Sequence, residues 1–533
     1  MPAVNRRSFL LGAAGVTGAA VAGTASAAGA LGGTTSAKTA TIPVTRESHR
    51  VVVIGSGFGG GVTSLRLAQA GVPVTVLERG IRWPTGPNSS TFPNAAHLDK
   101  RALWYKSAPL LFGKPLLVDP YVGLLETVPA PNMNVVCAAG VGGGSLVYQG
   151  MTLQPSEAIF NTVLPPALDY ATMNRVHYPR VAQMLQVAEA PDSLIASKTY
   201  LPSRVFARNV NNSGYPLSKI PMPIDWSYAL RELTGEFLPS YTNGDCAIGV
   251  NNGGKHSVDV TYLKQAEATG LVTVMTQHEV TDVARANDGQ WTVYVNRIDT
   301  SGAVMETKII TTKALVMAAG TMNTTKLLMR AKAKGTISNL PDGLGTGWGN
   351  NGDRIYVWTS LTDDFTAVQG GPVIYGSKDW SDPATANTVI QASLPPFGAD
   401  IRSTMMVGFG VSSARGKFAY DASSDDIKLN WAKDADSVLQ KKISARVKKI
   451  AGPFGLLTDT NAILPSTWHP LGGAAMGSVC DLEGRVLEQK GLYVLDGALI
   501  PGNTGACNPS MTIAAVAERA LDHLVASDVG TLI

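Results

Sequence analysis

Arg50-Val51-Val52-Val53-Ile54-Gly55-Ser56-Gly57-Phe58-Gly59-Gly60 decides the fold. Val51 to Ile54 is an unbroken apolar run, as a strand buried on both faces requires. The second half of the stretch is rich in glycine, where no side chain keeps the backbone away from a neighbour. Val62 to Ala70 then reads as a helix ended by Gly71, and Val72 to Leu77 as a second strand closing on Glu78-Arg79-Gly80. Strand, glycine turn, helix and strand within about thirty residues is the size of a parallel βαβ crossover. In that setting each position has an assignment. Gly55 permits the tight turn, Gly57 lets the backbone approach a pyrophosphate, and Gly60 lets helix and strand pack closely. Phe58 and Gly59 complete the phosphate turn, and the helix N-terminus offers unpaired N–H groups and a positive dipole end. Glu78, about twenty positions on, is placed to accept hydrogen bonds from a ribose. The expectation is an α/β, dinucleotide-binding unit.

Outward from this unit, Leu271 to Val283 and Ala314 to Ala319 read as further parts of the same sheet. Ile355 to Trp431 alternates apolar and polar residues between Gly and Pro, which predicts antiparallel sheet. Met511 to Val525 places Ile513, Val516, Ala517, Leu521 and Leu524 on one helical face. No internal repeat is evident. A chain of 533 residues is too long for one ordinary core, so two domains are expected. A net charge of +4 without a dense Lys/Arg stripe argues against a nucleic-acid partner. Cys137, Cys246, Cys480 and Cys507 are scattered without metal-ligand spacing, so no metal is expected. One or two disulfides and free buried thiols both remain open.

The first residues predict export. Asn5-Arg6-Arg7-Ser8-Phe9-Leu10-Leu11 sets a twin arginine before an Ala/Gly-rich apolar run that ends in Ala25-Ser26-Ala27, a small-residue cleavage pattern. Residues 1–45 are therefore taken as twin-arginine signal and linker. The mature protein is expected to be secreted or associated with the cell envelope.

The first glycine turn does not choose between NAD and FAD. A second cluster, Ala139-Gly140-Val141-Gly142-Gly143-Gly144-Ser145-Leu146-Val147, has the glycine content to wrap a large planar ligand or a phosphate. Near the C-terminus stand Trp468-His469-Pro470-Leu471-Gly472-Gly473, then Leu492-Tyr493-Val494-Leu495-Asp496-Gly497-Ala498-Leu499-Ile500-Pro501, then Asn508-Pro509. Together these segments resemble the glucose–methanol–choline (GMC) oxidoreductase family, and within it the bacterial cholesterol oxidases that hold FAD without a covalent bond. The resemblance spans most of the chain beyond the signal. It implies a Rossmann-like FAD-binding domain (46–150, 241–345 and 462–533) with an inserted substrate domain on a mainly antiparallel sheet (151–240 and 346–461). It implies that the flavin ring contacts Gly144, Tyr148, Gln149 and Met151, that Val280 meets the adenine through its backbone, and that Gly497 lies along the ribityl chain. Gly320, Asp496, Asn508 and Ser510 complete the implied cofactor surroundings.

Oxidising an alcohol removes a hydroxyl proton as well as a hydride, and histidine is suited to take that proton near neutral pH. His469, fixed by Pro470 and a Gly-Gly pair, is the candidate base. The amide of Asn508 is the candidate donor to the substrate oxygen or the flavin. The helix that follows it would point its positive end at the flavin pyrimidine edge. Two departures from the cholesterol-oxidase pattern stand out. A loose local alignment puts Gln391 where those enzymes carry the glutamate that moves a proton during double-bond isomerisation, and Asp400 is the nearest carboxylate in sequence. Ser510 replaces an aromatic residue, and Tyr148-Gln149 replace Asn-Gly. The implied activity is FAD-dependent oxidation of a bulky apolar secondary alcohol, such as a 3β-hydroxysteroid, with weak isomerisation. O2 or a quinone-like acceptor would reoxidise the flavin. The chain is expected to be monomeric, with transient contact to a membrane surface; a non-catalytic flavoprotein is the alternative from another class.

Overall fold

The computed structural model describes residues 41–111, 114–395, 401–462 and 465–533. The twin-arginine segment and Asp400 lie outside these residues.

The α/β pattern holds. A seven-stranded mixed sheet has the order Val272–Met275, Val74–Leu77, Val44–Ile54, Val304–Met317, Trp291–Ile298, His278–Arg285, with Leu492–Val494 beside the end of Val304–Met317. The strands from Val272–Met275 to Val304–Met317 run parallel, as does Leu492–Val494, whereas Trp291–Ile298 and His278–Arg285 join them antiparallel. Burial explains the apolar run Val51 to Ile54. Val44 to Arg50 alternate in exposure, but Val51 to Ile54 are all buried and pair with Ala314 to Met317, themselves all buried. Only the parallel centre has both faces covered.

The stretch Leu271 to Val283 belongs to this sheet, as expected, and supplies two of its strands. Gln277 at φ 58° breaks it, so that Val272–Met275 extends one edge of the sheet and His278–Arg285 the other. The helix after the glycine turn also begins earlier than its apolar pattern suggests, at Phe58, and runs to Gln69.

A second, six-stranded sheet is antiparallel throughout. Its order is Gly455–Asp459, Arg354–Ser360, Ser403–Gly410, Asn387–Ala392, Tyr375–Asp379, Ser218–Lys219. Lys417–Asp421 and Asp426–Asn430 leave it to form a separate hairpin. One face packs on the helices Leu201–Asn212 and Ser437–Ala451 through Tyr356, Trp358, Val389 and Met406.

The closing helix, Pro509–Ser527, packs against Phe58–Gln69. Buried charge fixes that contact: Glu518 accepts from Arg66, from Arg180 at 3.1 Å and from the Tyr262 hydroxyl at 3.1 Å. Arg66 also reaches Asp522 at 2.5 Å. A carboxylate as buried as Glu518 is tolerated only when paired in this way. The pairing holds the start of the helix, at Asn508, in register with the glycine turn. All four cysteines are free thiols. Among the described residues no helix is long and apolar enough to cross a membrane, and no His/Cys/Asp/Glu group could hold a metal ion.

Candidate active site

The two glycine segments, about eighty residues apart in sequence, meet in space. Gly142 and Gly143 have φ of 111° and 54°, which favour glycine. A Cβ on Gly143 would come within 2.8 Å of the Gly57 Cα. Gly60 serves packing instead, because a Cβ there would lie 2.1 Å from the Gly55 carbonyl oxygen. Gly144 differs from both: it is exposed, and a Cβ on it would meet no protein atom within 4 Å.

That open space belongs to a cavity of about 620 Å³. Gly55, Gly57, Phe58, Gly59, Glu78, Gly144, Tyr148, Gln149, Met151, Val280, Gly320, Asp496, Gly497, His469 and Asn508 all line it. The antiparallel sheet contributes a purely apolar wall of Ile355, Ile390, Ala392, Met405 and Val407. Backbone brought close by glycine, beside a helix N-terminus, fits the diphosphate of a dinucleotide. The bare surface at Gly144 and Gly320, where added Cβ atoms would also meet nothing, fits the rest of such a ligand.

Three of the residues singled out in the sequence lie off the cavity. Gln391 is the clearest correction. Side chains alternate along Asn387–Ala392, so Ile390 and Ala392 face the cavity and Gln391 faces the helices. There it is buried, accepting from the Ser203 hydroxyl at 2.9 Å and donating to Thr404 Oγ1 at 3.0 Å. Gly60 is off the cavity too, in keeping with the packing role expected of it. The third, Ser510, lies behind Asn508, whose amide nitrogen donates to the Met151 carbonyl and to Ser510 Oγ at 2.6 Å. Both Asn508 N–H groups are thus engaged within the protein.

Glu78 is also more occupied than the sequence suggests. Ser56 N and Oγ donate to one carboxylate oxygen at 3.2 and 2.5 Å, and Gly80 N and Gly140 N to the other at 2.8 and 3.2 Å. A carboxylate has about four acceptor directions, so Glu78 works here as a clamp between the two glycine segments.

Two further residues carry no motif that marks them in the sequence. Lys255 is buried and donates to the Leu146 and Tyr148 carbonyls at 2.9 and 2.6 Å, which pins the second glycine loop. Burial pulls its ammonium down to about 8. Asp353, 5 % exposed, stands beside His469, with Oδ1 2.7 Å from Nδ1. Its Oδ2 accepts from Thr467 Oγ1 at 2.7 Å and Trp468 N at 3.3 Å. The His469 side chain keeps 21 % of its surface exposed and meets the Phe409 ring edge-on, with centroids 6.2 Å apart. Asp496, lining the cavity, is pushed up to about 6 by burial, although Thr324 Oγ1, Ala498 N and Gly320 N all donate to it.

Known proteins are similar to this chain over most of its length. The chain is 27% identical to a cholesterol oxidase of Mycobacterium tuberculosis, over 89% of this chain and 91% of that protein. It is 25% identical to a cholesterol oxidase of Acinetobacter baumannii, over 91% and 95% of the two chains. The crystal structure of pyridoxine 4-oxidase from Mesorbium loti superposes with a TM-score of 0.62 at 15% identity, covering 89% of this chain and 99% of that one, a likeness of fold alone. The GMC oxidoreductase models match residues 121–340 and 424–517, the segments that bring the second glycine loop, Gly320, His469 and Asn508 to one cavity. The chain belongs to the GMC oxidoreductase family.

Proposed function

We propose that the protein is an FAD-dependent oxidase of apolar secondary alcohols, with 3β-hydroxysteroids as the substrate class and O2 as the electron acceptor. One observation carries this: a half-buried histidine opens on a cavity with glycine backbone on one side and five apolar side chains on the other. FAD held along Gly57, Gly144 and Gly320 would supply the hydride acceptor. His469 takes the hydroxyl proton at its Nε2, since its Nδ1 is engaged by Asp353. Ile355, Ile390, Ala392, Met405 and Val407 favour a hydrocarbon body and offer it no polar anchor. The similarity to two cholesterol oxidases supports the sterol class.

The same wall supports oxidation without efficient isomerisation. The cavity-facing neighbours of Gln391 are isoleucine and alanine, neither of which can carry a proton. The product of a Δ5-3β-hydroxysteroid would be the unconjugated ketone. From Arg6-Arg7 and Ala25-Ser26-Ala27 we also propose export by the twin-arginine route.

The test is anaerobic flavin bleaching with a panel of sterols, terpenoid alcohols and primary long-chain alcohols, followed by peroxide measurement on admitting air. Bleaching by sterols, peroxide formation and a His469→Ala variant slowed at least about 100-fold are expected. Bleaching confined to primary alcohols, rapid formation of the conjugated ketone, or an unimpaired His469→Ala variant would each refute the corresponding part.

A further inference from the structure

We infer that Asp353 is a positioning residue for His469: it holds the proton on Nδ1, so that Nε2 meets the alcohol as a bare lone pair, and it stabilises the imidazolium formed in the reaction. This rests on the proposed role of His469 as the base.

The carboxylate is built into the backbone around the histidine. Thr467 Oγ1 and Trp468 N both donate to Oδ2, and His469 N donates to Thr467 Oγ1 at 3.0 Å. Thr467-Trp468-His469 therefore folds around the Asp353 side chain. Asp353 itself is fixed where the chain enters the strand Arg354–Ser360. An ionised carboxylate only accepts, so the proton in the 2.7 Å contact between Oδ1 and Nδ1 belongs to the ring. A neutral imidazole carries one N–H, and with Nδ1 protonated Nε2 is the acceptor. The Asp436 carboxyl, bonded to Ser412, is raised first by its burial and also by the negative charge of Asp353; Arg415 is the cation nearby.

In the step itself, the alcohol O–H bond breaks and its proton passes to Nε2. FAD held along the glycine segments would supply the acceptor for the carbinol hydrogen and its electron pair as the carbonyl double bond forms. The ring gains a charge 2.7 Å from the carboxylate, and that attraction lowers the barrier. An asparagine at 353 removes the charge, and its amide can donate to Nδ1 and select the opposite tautomer.

The experiment compares the parent holoprotein with D353N, D353E and H469A. The rate of anaerobic flavin reduction is followed against substrate concentration, and imidazole 15N NMR of histidine-labelled protein reports the tautomer. D353N should lower the limiting rate at least about 100-fold with a much smaller change in KM. In the NMR spectrum the His469 signal, identified by its absence in H469A, should change from Nδ1–H toward Nε2–H. D353E should recover part of the rate. An unmoved tautomer in D353N, or a rate within threefold of the parent, would overturn the inference while leaving His469 as base. An unimpaired H469A would overturn the proposed function itself.

Discussion

Gly144→Ala separates the fold from the ligand. The Cβ would meet no protein atom within 4 Å, and the residue is not among those with positive φ. The substitution therefore has no steric cost in the protein alone. Reduced freedom of the unfolded chain should stabilise the apoprotein by up to about 1 kcal/mol. If the flavin lies against this backbone, the same methyl intrudes on the ligand. Overpacking of a fitted contact costs about 1–3 kcal/mol, which corresponds to FAD binding roughly 5- to 150-fold weaker. The internal control is Gly59→Ala, whose Cβ would lie 1.7 Å from the Leu495 carbonyl oxygen and which should damage the apoprotein itself. FAD titration of stripped apoprotein by fluorescence, with denaturant unfolding of each apoprotein, gives both numbers. FAD binding by Gly144→Ala within twofold of the parent would refute the placement of the cofactor against the second glycine loop.

Gln391→Ala should leave flavin reduction within about twofold of the parent while lowering stability by roughly 1–3 kcal/mol, because Ser203 and Thr404 lose a buried partner. Rate measurements beside denaturant midpoints would check it, and a tenfold loss of rate at unchanged stability would place the side chain in the cavity after all. Burial holds the His177 imidazole down to about 4, below its ordinary value near 6.5. The unfolded chain then binds this proton first as pH falls, so stability is present above about pH 6.5 and is lost from there down toward pH 4. Urea midpoints across that window should fall in the parent and fall less in His177→Gln; parallel curves would remove the assignment.

What the sequence determined by itself is local. The strand, glycine turn and helix from Val51 to Gln69 are specified by neighbours in the chain, because burial on both faces, positive φ and helix entry each act within a few residues. His469, Asn508 and the second glycine cluster were singled out through motifs that resemble a family, and the structure brings them to the cavity lined by the first glycine turn. What the tertiary structure decided depends on face and on long-range pairing. A one-residue step along a strand exchanges cavity for core, so the loose alignment that pointed to Gln391 could not tell it from Ile390 or Ala392. The four donors on Glu78 come from three segments of chain, and the Lys255 side chain reaches two carbonyls more than a hundred residues away. Asp353 stands 116 residues before His469 in an unremarkable Asn-Gly-Asp-Arg stretch. Only the folding of Thr467-Trp468-His469 around its carboxylate sets that acid against the ring, because a hydrogen bond is specified by where two chain segments end up and not by either segment alone.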